Sequence, residues 1–245
     1  PIRDLVQSRG FEHLIFDPKW DLIQIASYHL VLICLLFTFS LIRSERLQVP
    51  RNVFFWGLIF GFGLPFVWPN MMFISWHIDT HHLIDMARGS TTQLITLAYG
   101  LTAGAACGLL SSWATLNPKR ILADRIDQST IEQFNGVDDV IASLSLVGIF
   151  LGWQSALSVT LFFLLIQVVV LMAARGGRAG AITPSITVFV ATLWHLLTWR
   201  AFTFVPVWPS PSVDAATIAG ILLAILSISM VIRKLGAASF DRQGR

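Results

Sequence analysis

Two adjacent carboxylates, Asp138 and Asp139, open a long apolar stretch in the run Phe134-Asn-Gly-Val-Asp-Asp-Val-Ile141. A carboxylate at the edge of hydrocarbon is costly unless chemistry uses it or a cation neutralises it. Gly136 permits a tight turn just before the pair. That reading places Asp138 and Asp139 in the first turn of the following helix, where the macrodipole favours negative charge. A second dense group of chemistry-bearing residues is Trp76-His-Ile-Asp-Thr-His-His-Leu-Ile-Asp85. His77 and His81, and His81 and Asp85, have the i,i+4 spacing with which a helix shares a metal ion, and His82 lies beside them. The glutamate of a hydrolytic zinc helix is missing, so no metal is favoured there. A water-facing loop, a docking site or a pH-sensitive patch fits the same residues.

The elements that must carry these groups are membrane helices. The chain is 55% hydrophobic and 13% charged, about half the charge of an ordinary soluble domain. Mean hydropathy is +0.69. The apolar residues form blocks near the ~20 residues that cross a bilayer as a helix. Seven spans are expected, at residues 22–42, 53–76, 92–115, 137–153, 156–174, 181–204 and 215–232. The expected fold is therefore an all-α transmembrane bundle. Residues 1–21 form an outer interfacial segment without a cleavable signal pattern, 22–235 the helical domain, and 236–245 a cytoplasmic tail. One set of loops carries Arg43, Arg46, Arg51, Lys119, Arg120, Arg125, Arg175, Arg178, Arg233, Lys234, Arg242 and Arg245. The positive-inside rule makes that side cytoplasmic, with the N-terminus outside and the C-terminus inside. The pI of 9.3 does not indicate nucleic acid, because the basic residues are spread over these short loops. Trp20, Trp76, Trp153, Trp199 and Trp208 fall at the outer interface and Trp56 and Trp113 at the inner one, as an aromatic belt does. Trp68 and Trp194 read as packing residues deeper in the bilayer.

Several cytoplasmic features occur in a characteristic order. Ile42-Arg-Ser-Glu-Arg-Leu-Gln-Val-Pro-Arg-Asn52 closes span one, with a helix stop at Pro50. Val53-Phe-Phe-Trp-Gly-Leu-Ile-Phe-Gly61 and Leu97-Ala-Tyr-Gly-Leu-Thr-Ala-Gly-Ala105 follow. Then come Gly136-Val-Asp-Asp-Val-Ile141, Leu146-Val-Gly-Ile-Phe-Leu-Gly-Trp153 and the turn Arg175-Gly-Gly-Arg178 before Ile182-Thr-Pro184. From about residue 41 to 196 this order resembles the prepilin peptidase family. These are intramembrane aspartic endopeptidases that cut leader peptides from type IV pilin-like precursors at the cytoplasmic face of the bacterial inner membrane. The resemblance implies that Asp139 matches one catalytic aspartate. It implies equally that Arg43 stands where the family has the other, seven residues before the proline. Asp138 replaces the family's glycine and Ile141 its lysine, and the zinc-bound cysteine loop of larger members is absent.

An aspartic peptidase needs two carboxylates sharing one proton, one acting as base on water and one as acid to the amide. A guanidinium in the first position reverses that logic. It would hold Asp139 ionised in an ion pair and fill the space that water and substrate need. Glu45 and Asp138 are possible surrogates. On a continuous helix, however, Glu45 faces ~200° away from Arg43, and Asp138 does not face its neighbour Asp139. The expectation is a peptidase-like subunit that has lost proteolysis and binds lipids, other membrane subunits or prepilin-like helices, without a cofactor. The alternatives are an active endopeptidase with an unusual dyad and, last, a transporter or channel. Cys34 and Cys107 lie in apolar spans and read as small packing residues. His29 and His195 read as separate packing residues within spans. Pro65, Pro69 and Pro184 should kink or end helices. Gly100-x-x-x-Gly104-x-x-x-Gly108 forms a small-residue ridge whose partner is either internal or another subunit. A short surface helix is expected in the cytoplasmic loop 117–136.

Overall fold

A computed structural model describes residues 20–45, 47–67, 90–115, 128–175, 183–202 and 215–243. Within these residues the chain forms α1 (Trp20–Ser44), α2 (Arg51–Val67), α3 (Ser90–Thr115), α4 (Gln128–Leu151), α5 (Trp153–Arg175), α6 (Pro184–Phe202) and α7 (Ala215–Gln243). The architecture is all-α among the described residues. Three segments, Ile23–Ser44, Leu94–Trp113 and Trp153–Ala173, are long and apolar enough to cross a membrane. Arg51–Val67, Pro184–Thr198 and Ala219–Ile232 are shorter apolar helices. Large apolar side chains also cover the outside, with Leu197, Val169, Leu223, Phe55 and Tyr99 all well exposed. So many exposed large apolar side chains suit a lipid-facing surface better than a water-facing one.

The hub is α4. Every residue from Ser143 to Leu151 is buried, and α4 packs against α1, α2, α3, α5 and α6. A helix apolar on all its faces must be surrounded. Its closest neighbour is α3. A Cβ built on Gly100 would run into the Gly148 carbonyl oxygen, and one on Gly104 into the Leu144 carbonyl oxygen. One on Gly108 would lie 2.6 Å from the Ile141 Cα, and one on Gly148 would meet the Gly100 carbonyl oxygen. The small-residue ridge of α3 is thus an internal seam, and backbone approaches backbone as it does between membrane helices. On the other side, α2 turns Gly57 and Gly61 toward Leu146, Ile149 and Phe150 of α4.

Turns in the sequence explain how the hub is threaded. Gly152 has φ of 87° and is the single residue between α4 and α5. Glycine alone adopts that left-handed conformation without a Cβ penalty. Pro184 opens α6, the first helical position that suits proline. Pro65 does not end α2, which continues to Val67. Proline has no N–H to offer the carbonyl four residues back, which belongs to Gly61. The Tyr28 hydroxyl of α1 donates to that carbonyl at 2.9 Å, and its ring stacks on Phe150 at 4.5 Å. A partner helix has replaced the missing intrahelical donor.

Several readings of the sequence change here. Gly136 makes no turn, because α4 begins at Gln128 and runs through it. The part of the loop 117–136 that is described belongs to this helix rather than to a separate surface helix. Asp138 and Asp139 therefore lie well inside α4, beyond the reach of its N-terminal dipole. Cys34 is exposed while Cys107 is buried, so only Cys107 is an internal packing residue. Trp194 is 53% exposed rather than packed. Residues 236–243 continue α7 as helix. The N-terminal segment 1–19, Trp68 and Pro69 lie outside the described residues.

Two substitutions probe these contacts. Gly104→Val should prevent close approach of α3 to α4 and abolish recovery of monodisperse protein in mild detergent. Tyr28→Phe leaves the buried Gly61 carbonyl without a donor and should lower stability by about 1–3 kcal/mol in a denaturant titration.

Candidate functional site

Arg43 sits in the last turn of α1, where a cation complements the helix C-terminus. The chain beyond is held close. Glu45 N–H donates to Leu41 O at 3.2 Å and Leu47 N–H to Ile42 O at 3.1 Å, while Ser44 Oγ donates to Leu41 O at 2.7 Å. The Val53 N–H then donates to Pro50 O at 2.9 Å as α2 begins. These bonds hold the α1–α2 connection against its helix ends. Arg43 Nη1 points back to this connection, 3.4 Å from Leu47 O.

Arg43 Nε donates to Asp139 Oδ2 across 96 residues of sequence. The side chains are 10% and 12% exposed, so the ion pair is largely out of water. The pair joins α1 to the hub helix α4. One turn before Arg43, the Ser40 hydroxyl links α1 to α6, 3.1 Å from Ser185 O and 2.8 Å from Leu36 O. Gln167 Nε2 of α5 donates to Thr187 Oγ1 of α6 at 3.0 Å.

The two surrogate carboxylates stand apart from this contact. Asp138 and Glu45 are both exposed, whereas Asp139 is buried. Adjacent residues on one helix point in different directions, which is why Asp138 faces out while Asp139 faces Arg43. The carboxylate of Asp139 is thus met by a guanidinium. Such an arrangement can neutralise a charge and lock two helices in register. In this contact Asp139 faces a guanidinium, whereas in an aspartic peptidase a catalytic carboxylate faces a second carboxylate with which it shares a proton.

The cluster His77, His81, His82 and Asp85 lies outside the described residues. Among the described residues, no group of three or more His, Cys, Asp or Glu is placed to hold a metal ion. Gly100, Gly104 and Gly108 take part in the α3–α4 seam rather than in a surface. A shallow groove of about 450 Å³ lies apart from the ion pair, lined by Tyr99, Thr102, Ala103, Ala106 and Trp153. The buried hydroxyls of Thr160 and Thr192 donate to the carbonyl four residues back, at 2.7 and 2.8 Å. These bonds to the preceding turn lie within their own helices. Reading the sequence alone missed one juxtaposition. His29 and His195, taken singly as packing residues, lie on the packed pair α1 and α6. No linear spacing connects residues so far apart in the chain.

No known protein family matches this chain, and neither a curated protein nor a solved structure shows significant similarity to it.

Removing one partner from a buried ion pair strands the other charge, typically at about 3–5 kcal/mol. Arg43→Ala and Asp139→Ala should each destabilise the protein by this order. Arg43→Ala/Asp139→Ala together should cost much less than the sum, because no charge is left unpaired. Unfolding of the four forms in detergent measures the coupling; additive costs would exclude a stabilising pair.

Proposed function

We propose that this protein is a seven-span, prepilin-peptidase-like scaffold that has lost proteolysis. In this reading it serves as a structural or partner-binding subunit of a complex in the bacterial inner membrane, with its N-terminus outside and its C-terminus in the cytoplasm. The observation that carries the reading is the Arg43–Asp139 contact. Position 139 corresponds to a catalytic aspartate in the resemblance drawn from sequence, and position 43 to its partner. The two side chains touch, yet one is a guanidinium. A shared proton cannot exist between them, and Oδ2 of Asp139 is engaged by Nε.

The same contact explains why an inactive member would keep Asp139. Once a buried guanidinium faces it, loss of the carboxylate is more costly than its retention. Selection for folding alone then holds the residue, with no need for catalysis. The partner in this reading is a membrane helix or a second subunit that meets the cytoplasmic ends of α1, α4 and α6. Lipid covers the exposed apolar faces.

The test is cleavage of a type IV prepilin-like substrate in reconstituted proteoliposomes. Neither the natural protein nor its Asp139→Asn variant should release a leader peptide. Cleavage by the natural protein that disappears in Asp139→Asn would establish an active endopeptidase and overturn the proposal.

A further inference from the structure

Proline inside a helix removes one bond of the helical ladder and favours a bend. Pro65 lies inside α2, which runs on to Val67. The carbonyl it leaves without an intrahelical donor is that of Gly61. The donor that carbonyl receives is the buried Tyr28 hydroxyl of α1, at 2.9 Å. Tyr28 is in turn held by stacking on Phe150 of α4. The gap in the α2 ladder is therefore closed from outside α2, by a single side chain of a neighbouring helix.

The two glycines between this carbonyl and the proline are not equivalent. A Cβ on Gly61 would lie 2.7 Å from Ile149 Cγ2 and 3.0 Å from the Phe150 ring, so packing against α4 requires glycine there. A Cβ on Gly63 would meet nothing within 4 Å. Packing does not call for glycine at 63, and a helix interior is weakened by it. What Gly63 adds is backbone freedom, next to the point where the ladder is already broken. The two parts of α2 are also held differently. The part before Gly61 is tied to α1 through the short connection. There Arg43 Nη1 is 3.4 Å from Leu47 O, and Val53 N–H donates to Pro50 O at 2.9 Å. Leu146 of α4 and Leu35 of α1 close on Gly57 in the same part. After Gly61, Pro65 is the one fully buried residue of the helix, and Phe66 and Val67 are 43% and 65% exposed.

We propose that α2 is a hinged arm, in which the segment from Phe62 to Val67 swings about Gly61–Pro65 and the Tyr28 hydroxyl is the latch. In the latched state Gly61, Tyr28 and Phe150 join α2, α1 and α4 at one point. Release breaks one hydrogen bond and withdraws no fully buried large side chain of α2, since its buried residues are Gly57, Gly61 and Pro65. Opening tilts the arm away from the core and leaves Gly57 in place on Leu146. A few residues that absorb the backbone change near the end of an element are what a hinge consists of. The device is independent of whether proteolysis was lost.

The hinge is tested on the full chain in liposomes, by double electron–electron resonance between spin labels in a Cys34→Ala/Cys107→Ala background. One label pair, Phe66→Cys with Ile95→Cys on α3, reports the arm. A second, Phe55→Cys with Val169→Cys on α5, reports the part before the hinge. Tyr28→Phe keeps the ring and removes only the donor. It should broaden the first distance distribution and shift it to longer distance, while the second stays unchanged. Pro65→Ala returns an N–H to Gly61 O within α2, so Tyr28→Phe/Pro65→Ala should restore the narrow distribution. Tyr28→Phe/Gly63→Ala should narrow it as well, because the added methyl group meets no neighbour and stiffens the helix. An unchanged first distribution in Tyr28→Phe, equal broadening of both pairs, or no recovery in Tyr28→Phe/Pro65→Ala would overturn the hinge. Should Tyr28→Phe yield no folded protein, recovery of folding in Tyr28→Phe/Pro65→Ala supports the latch and its failure overturns it.

Discussion

The close approach of α3 to α4 governs the rest of this bundle. At Gly100, Gly104, Gly108 and Gly148 the backbones meet with no space for a Cβ. Lipid tails are as apolar as leucine, so no hydrophobic force drives membrane helices together; packing and backbone contact must do it. Small residues let two helices interlock along much of their length. With α3 fixed on one side, α4 becomes the centre on which α1, α2, α5 and α6 pack. The position of Asp139 follows from that, since it lies on α4 two residues before the seam residue Ile141.

The second constraint is that leaving a polar group unpartnered inside such a bundle costs free energy. Three solutions are visible. Some hydroxyls return to the carbonyl of the preceding turn, as at Ser158, Thr160 and Thr192. A carbonyl orphaned by Pro65 is satisfied by Tyr28 from another helix. A carboxylate is satisfied by a guanidinium from another helix. The last two are non-local contacts that tie α1 to α2 and to α4. The same groups that make burial costly therefore specify which helices are neighbours.

Much of the fold was legible in the chain. Each of the seven described helices overlaps one of the apolar blocks, although α4 begins nine residues before its block and α7 runs eleven beyond it. Small residues at every fourth position marked a face of close packing. Boundaries were less legible. Gly136 suggested a turn, yet α4 continues through it, because a helix interior tolerates one glycine at a cost of about 1 kcal/mol. Exposure was also illegible at single positions. Cys34 and Trp194 sit in apolar segments like their buried neighbours, and only the packing of the other helices decides which face is covered.

By itself the sequence determined the residue types: a carboxylate at 139, a cation at 43, histidines at 29 and 195, and glycines along one face of α3. It also determined an all-α architecture among the described residues, with segments apolar enough for a membrane. Tertiary structure alone decided which of these meet. Arg43 and Asp139 are 96 residues apart, and Asp138 is adjacent to Asp139 yet points outward. The reason is geometric. Helical rotation sends neighbouring side chains to different faces, while packing brings distant faces within hydrogen-bond reach. Ion pairing and close helix packing depend on separation in space, and separation along the chain does not specify it.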